Sequence, residues 1–271
     1  MLQVEVSGRR KAMTPGAYVI LGKSGDILST LPILFRHYRK THKQPVVVTS
    51  QEYMPLFDRI PFVQTVDLNS EWSDLTAAMK FAKSRFNHVC CLATYGKDYP
   101  VEQRTSSFQL EQYERAGLLK EWDSLPFAGL SKSDPIEFKQ PTILFADASM
   151  SSPFLQKEDL HKLLIESFPK HQIVRLSMIK LPHLVDFVAW YDAAEAVVTI
   201  ETAHLHLTAA TKTPVVALAT DLPSRWHGSA WSKRFAFYCR YSEFDNRKAE
   251  LVDRLKEAMT GKKQMDVMEL N

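Results

Sequence analysis

Two strand-to-helix turns hold the residues of this 271-residue chain whose types and spacing suit chemistry. The first reads Leu21-Gly22-Lys23-Ser24-Gly25-Asp26-Ile27. Its aspartate lies just past a strand and opens a helix. There a carboxylate caps the unpaired N–H groups of the first helical turn, or, at a cleft edge, takes the proton of a hydroxyl nucleophile as general base. Gly22-Lys23-Ser24 is not a phosphate-cradling P-loop, because that motif needs a glycine five residues before Gly22 and Ala17 stands there, inside the strand. The dinucleotide fingerprint is absent as well, since Ser24 takes its middle glycine position.

The second turn reads Thr199-Ile200-Glu201-Thr202-Ala203-His204-Leu205-His206, followed by Leu207-Thr208-Ala209-Ala210. A small-residue helix start after a strand offers free N–H groups and the positive end of the helix dipole, which suits a diphosphate. The same small residues also serve plain helix-to-sheet packing. His204 and His206 point to nearly opposite sides of a helix and make no metal pair. No other His, Cys, Asp or Glu group has ligand spacing, so no metal site is expected.

The elements that must position these turns follow from periodicity. Short apolar runs at residues 17–21, 46–50, 63–67 and 88–93 alternate with helical stretches at 27–41, 52–58, 71–85 and 106–117. A Pro-, Gly- and Ser-bearing stretch interrupts the rhythm between residues 121 and 141. Strands at 142–145, 173–176, 196–200 and 214–218 then alternate with helices at 157–168, 181–191 and 203–211, and a last helix covers 247–259. This is the pattern of parallel βα units. It predicts an α/β chain of two doubly wound, Rossmann-like domains, residues 1–135 and 136–271, facing each other across a cleft, with the last helix packing back on the first domain. Ligands of open α/β sheets bind beyond the carboxyl ends of the strands, where both turns lie.

Composition narrows the classes. Hydrophobic residues at 45% and charged residues at 24% exclude a disordered or fibrous chain. No stretch reaches the roughly 18 apolar residues of a membrane span, and Glu5, Arg9, Arg10 and Lys11 break up any apolar leader, so a cytoplasmic protein is expected. The odd set Cys90, Cys91 and Cys239 argues for buried reduced thiols. The net charge of +3 is unevenly spread: residues 1–45 hold eight basic and two acidic side chains.

Together the two turns resemble glycosyltransferase family nine, the ADP-heptose:lipopolysaccharide heptosyltransferases of GT-B fold. Gly25-Asp26-Ile27-Leu28-Ser29-Thr30-Leu31-Pro32-Ile33-Leu34 is similar to that family's G-D-[VI]-[LV]-x-[TS]-L-P-x-[LI]. Glu201 through Ala210, with Pro214-Val215-Val216-Ala217-Leu218, is similar to its D-T-G-x-x-H-L-A-x-A and P-[VT]-[VI]-A-L. Glu201 replaces the usual Asp and Ala203 the usual Gly, and the loop at 146–153 has serines without the family's downstream lysine. The resemblance implies an inverting glycosyltransferase with a nucleotide-diphosphate sugar as co-substrate and no other cofactor. Asp26 would be the catalytic base. Thr202 and Ala203 would offer N–H groups to the donor diphosphate, with Glu201 and His206 on the nucleotide side and Ser149 and Arg225 as further donor contacts. Lys23, Ser24 and Arg104 are the candidate acceptor contacts.

For the acceptor, Arg36, Arg39, Lys40 and Lys43 fall at i, i+3, i+4 and i+7 of the first long helix. That row is either a solvated face or a surface for a polyanion, namely a phosphorylated glycolipid at the inner membrane or hydroxymethylated pyrimidine DNA. Residues 231–241 interleave aromatic and basic side chains, as a strand with a buried aromatic face or as a stacking surface. In the loop after Pro214, Trp226 either packs or meets a base or sugar. The alternative class is a non-catalytic nucleotide-sugar or nucleic-acid binding module of the same fold.

Overall fold

A computed structural model of the chain describes residues 15–68, 74–93, 108–121, 127, 129–131, 133–220 and 235–269, with side chains described through residue 261 except at Phe108. Two parallel sheets form its frame. The first comprises β1 (Ala17–Val19), β2 (Val46–Thr49), β3 (Gln64–Asp67) and β4 (Val89–Cys91) in the order β3-β2-β1-β4. Its helices are α1 (Ser24–Leu28), α2 (Leu31–Thr41), α3 (Leu75–Arg85) and α4 (Phe108–Arg115). The second sheet comprises β5 (Thr142–Ala146), β6 (Gln172–Arg175), β7 (Ala196–Thr199), β8 (Val215–Ala219) and β9 (Phe237–Arg240) in the order β6-β5-β7-β8-β9. Its helices are α5 (Lys157–Ser167), α6 (Phe187–Ala193), α7 (Ala203–Leu207) and α8 (Phe244–Glu269).

Every strand pair among the described residues is parallel, with Tyr18 opposite Val47 and Cys90 in the first sheet and Leu144 opposite Val174 and Val197 in the second. Parallel strands covered on both faces read as near-continuous apolar runs. All residues of β1, β5, β7 and β8 are buried.

The first expected helix, residues 27–41, is two. Pro32 has no N–H to donate, and its ring would meet the carbonyl of Leu28, so α1 ends at Leu28 and α2 begins anew at Leu31. Ser29 Oγ and Thr30 Oγ1 fold back onto the carbonyls of Asp26 (2.6 Å) and Ile27 (2.7 Å) to close the break. Pro55 likewise turns the expected helix at 52–58 into a 3-10 segment, Gln51–Phe57.

The α2 helix stops at His42, which caps it with φ 55°, so Lys43 lies beyond the helix. Arg36 is paired with Glu121 at 2.9 Å, leaving Arg39 and Lys40 as the exposed basic pair of the expected four-residue row. In β9 the buried face is Phe237 and Cys239 rather than all aromatic, and residues 231–234 lie outside the described residues. None of the three cysteines forms a disulfide; Cys239 is buried, while Cys90 and Cys91 are only half-buried.

The core does not divide at the middle of the chain. One apolar cluster runs from Tyr18, Ile20 and Ile27 on the first half to Leu144, Tyr191 and Leu207 on the second. Arg59 pairs with Asp186 across the same junction at 3.3 Å. The described face of α8 (Leu251, Val252, Leu255 and Met259) packs with Phe145, Val198 and Val216 of the second sheet. The side chains beyond residue 261 lie outside the described set. Among the described residues no helix is long and apolar enough to cross a membrane.

Candidate functional site

Strand order decides where a ligand can sit. In the first sheet the chain runs outward from β1 to β2 and β3 and then returns to β4 on the other side of β1. In the second it runs from β5 to β6 and returns to β7. Crevices open where the order reverses, at the carboxyl ends of β1 and β4 and of β5 and β7. The two sequence turns follow β1 and β7, and the structure packs them together through α1 and α7.

Glycines shape the first turn. Gly22 has φ +132°, a value that L side chains rarely adopt, and a Cβ there would stand 2.8 Å from Asp26 Cβ and Oδ2. Asp26 is the third residue of α1 and not its cap; its Oδ2 accepts the N–H of Lys23 at 2.9 Å. The carbonyl of Asp26 accepts from Gln112 Nε2 at 3.3 Å, and the single Ser29 hydroxyl proton is shared between that carbonyl and Gln112 Oε1, 2.8 Å away. Buried Gln112 on α4 thus buttresses the turn from behind. Tyr53, in the 3-10 segment after β2, has its phenol pKa raised by burial first, then by the charges of Glu52 and Asp26, which places it in the field of the candidate base.

On the second sheet, Thr202 stands in extended conformation before α7, and Ala203 opens the helix. The buried Glu201 carboxylate turns to the end of β8, where Oε2 accepts Thr220 N–H (2.7 Å) and Oγ1 (2.8 Å). The N–H of Glu201 donates to Tyr241 Oη at 3.0 Å, and that hydroxyl donates to the carbonyl of Ser152 at 2.9 Å. These bonds tie the ends of β7, β8 and β9 to the loop after β5. Ser149 Oγ accepts the N–H of Ser152 at 3.1 Å within the loop after β5.

His206 is buried, and its ring lies against Gly25 of the opposite turn. His204 bonds Tyr191 Oη at 2.6 Å and meets Phe187 edge-on; desolvation lowers its pKa to about 4, with Asp147 opposing, so it is neutral. Lys23, expected beside the acceptor, donates from Nζ to Ser151 Oγ of the loop after β5 at 2.9 Å. Ser24 is half-buried at the start of α1. Arg104 and Arg225, like Trp226, lie outside the described residues. Among the described residues, no group of three or more His, Cys, Asp or Glu side chains gathers as a metal site would.

Sequence reasoning missed Asp147. This fully buried carboxylate follows β5 and accepts from Arg175 Nε (2.6 Å), Ser177 Oγ (2.9 Å) and Ser177 N–H (3.1 Å). Burial pushes its pKa up, but the bonds from Ser177 and Arg175 outweigh that and hold it below the usual carboxylate value. Its position at the carboxyl end of a central strand was the available signal.

Two Rossmann-like sheets joined with their switch points face to face define the GT-B fold. Solved structures share it: ADP-heptose LPS heptosyltransferase II of Escherichia coli is 16% identical with TM-score 0.55, over 91% of this chain and 99% of its own. The glycosyl transferase family 9 protein of Veillonella parvula is 11% identical with TM-score 0.55, over 86% and 88%. TibC, a dodecameric iron-containing glycosyltransferase of enterotoxigenic E. coli, is 14% identical with TM-score 0.53, over 79% of this chain. The chain spans 60% of the length of TibC, which has also been solved as a heptosyltransferase in complex with ADP-D-β-D-heptose. No protein-family model and no curated protein sequence matches the chain. The fold is therefore that of the family nine heptosyltransferases, as the two turns implied.

Proposed function

We propose that this chain is a GT-B glycosyltransferase that moves a sugar, hexosyl or heptosyl, from a nucleotide-diphosphate sugar to a hydroxyl of an anionic acceptor, with inversion. The observation that carries the reading is the placement of Asp26. Its carboxylate belongs to α1 at the switch point of one sheet, and α1 is packed on α7, which starts at the switch point of the other. In this reading residues 1–135 present the acceptor and residues 136–271 hold the donor.

Asp26 takes the acceptor proton as the hydroxyl attacks the anomeric carbon. The N–H groups of Thr202 and Ala203 meet the diphosphate, with Ser149 and Arg225 as further donor contacts. Glu201 and His206 shape the nucleotide side, and Ser24 and Arg104 contact the acceptor. Oriented N–H groups and side-chain cations ease departure of the diphosphate, so the mechanism calls on no metal. The protein works in the cytoplasm, at the inner membrane if the acceptor is a glycolipid.

The test is release of nucleoside diphosphate from ADP-, UDP-, GDP- and CDP-sugars, with EDTA or Mg²⁺, given a phosphorylated glycolipid or hydroxymethylated duplex DNA. Metal-independent release with one donor, and an inverted anomeric centre by NMR, is the expected result. Donor binding with neither transfer nor hydrolysis would overturn it in favour of a non-catalytic binding module.

A further inference from the structure

Lys23 belongs by sequence to the first sheet and by contact to the second. It directly precedes α1, yet its Nζ donates to Ser151, 128 residues away in the loop after β5. From Asp147 to Gln156 that loop holds one carboxylate, three serine hydroxyls and no cation. The turn after β7 adds the Glu201 carboxylate. Arg175, the cation that β6 brings beside the loop, is committed. Its Nε holds Asp147, and its two terminal nitrogens hold both oxygens of Glu158 at 2.9 Å.

Lys23 stands differently. Among the described residues no carboxylate pairs with it, and its side-chain partner is a neutral hydroxyl. An ammonium has a full charge and three donors, of which a serine oxygen answers one. A phosphate oxygen is the stronger acceptor for such a group.

We propose that Lys23 is the cation that holds the donor diphosphate and neutralises it on departure, reaching across from the first sheet to the loop after β5, with Ser151 Oγ and a phosphate oxygen competing for its ammonium. This rests on the glycosyltransferase reading and moves Lys23 from the acceptor to the donor. In the transfer, a bond forms from the acceptor oxygen to the anomeric carbon as the bond from that carbon to the diphosphate oxygen breaks. The acceptor proton goes to Asp26, the electron pair leaves with the diphosphate, and Lys23 stays protonated, facing the charge that develops there.

Calorimetric titration of the full chain with ADP, UDP, GDP, CDP and their nucleosides tests the inference. For the diphosphate that the wild type binds, Lys23→Ala weakens affinity roughly ten- to hundredfold, the measure of a charge-assisted bond, and leaves the nucleoside affinity unchanged. Lys23→Arg retains most of the affinity, and Ser151→Ala does not lower it. Equal losses for diphosphate and nucleoside, or a loss in Ser151→Ala as large as in Lys23→Ala, would show a structural contact and overturn the proposal. Unchanged diphosphate affinity in Lys23→Ala with a raised acceptor KM would return the residue to the acceptor. Failure of the wild type to bind any diphosphate would remove the glycosyltransferase reading and this inference together.

Discussion

A Cβ placed on Gly25 would lie 2.9 Å from Cδ2 and 3.1 Å from Nε2 of His206. The two residues are on helices of opposite sheets, so the approach of the two candidate half-sites depends on a missing side chain. Ala203 is the next neighbour, its Cα 3.8 Å from the same point. The histidine is buried and has little room to retreat.

Gly25→Ala should therefore destabilise the protein by about 1–3 kcal/mol, the usual cost of overpacking, and lower transfer by widening the gap between Asp26 and the α7 turn. Urea unfolding of Gly25→Ala, His206→Ala and the double variant checks this. The double variant should recover part of the loss, because the clash requires both partners.

Asp26→Asn should keep the fold and the affinity for nucleoside diphosphate while lowering transfer about 10²- to 10⁴-fold, the span of a lost general base. The amide oxygen can still accept the Lys23 N–H, so the turn survives. Initial rates of nucleoside diphosphate release, set beside thermal melts of the same preparations, separate the two effects. Undiminished transfer would exclude Asp26 as the base.

His204 sets a pH dependence on stability. Its folded pKa of about 4 lies below the ordinary histidine value of 6.5, so between those values the unfolded chain takes up a proton that the folded one does not. Stability should fall as pH drops from 6.5 towards 4, by at most about 1.4 kcal/mol per pH unit from this group. Unfolding free energies measured across that interval should show the slope, and His204→Gln should flatten it.

Asp147 acts at lower pH. Its folded pKa is held below the ordinary aspartate value of 3.8, so its contribution is complete at neutral pH and is lost as pH falls through the folded value. Asp147→Ala leaves Ser177 and Arg175 without their shared acceptor and should cost about 2–4 kcal/mol at pH 7. Denaturant midpoints at pH 7 and at successively lower pH check this, since the gap between the variant and the wild type should narrow as the carboxylate is protonated.

Much of the frame is legible in the sequence. The apolar runs at residues 142–145, 196–200 and 214–218 became β5, β7 and β8, because strands buried on both faces are apolar along most of their length. Helix starts were less legible. The break between α1 and α2 was written in Pro32, yet a continuous apolar period from Ile27 to Leu34 masked it. Lys43 fell outside α2 because His42 adopts a left-handed conformation that no periodicity reports.

What the sequence by itself determined is the alternation of βα units and the two turns, Gly25-Asp26 and Glu201-Thr202-Ala203, since apolar period and turn chemistry are local properties of the chain. Tertiary structure alone decided what those turns touch. It set Gly25 against His206, turned Glu201 to Thr220 and carried Lys23 to Ser151. It also buried Asp147 under Arg175 and Ser177. The reason is that these partners are 19 to 181 residues apart along the chain and meet only where two sheets and their helices pack, so neither residue of a pair signals the other in sequence.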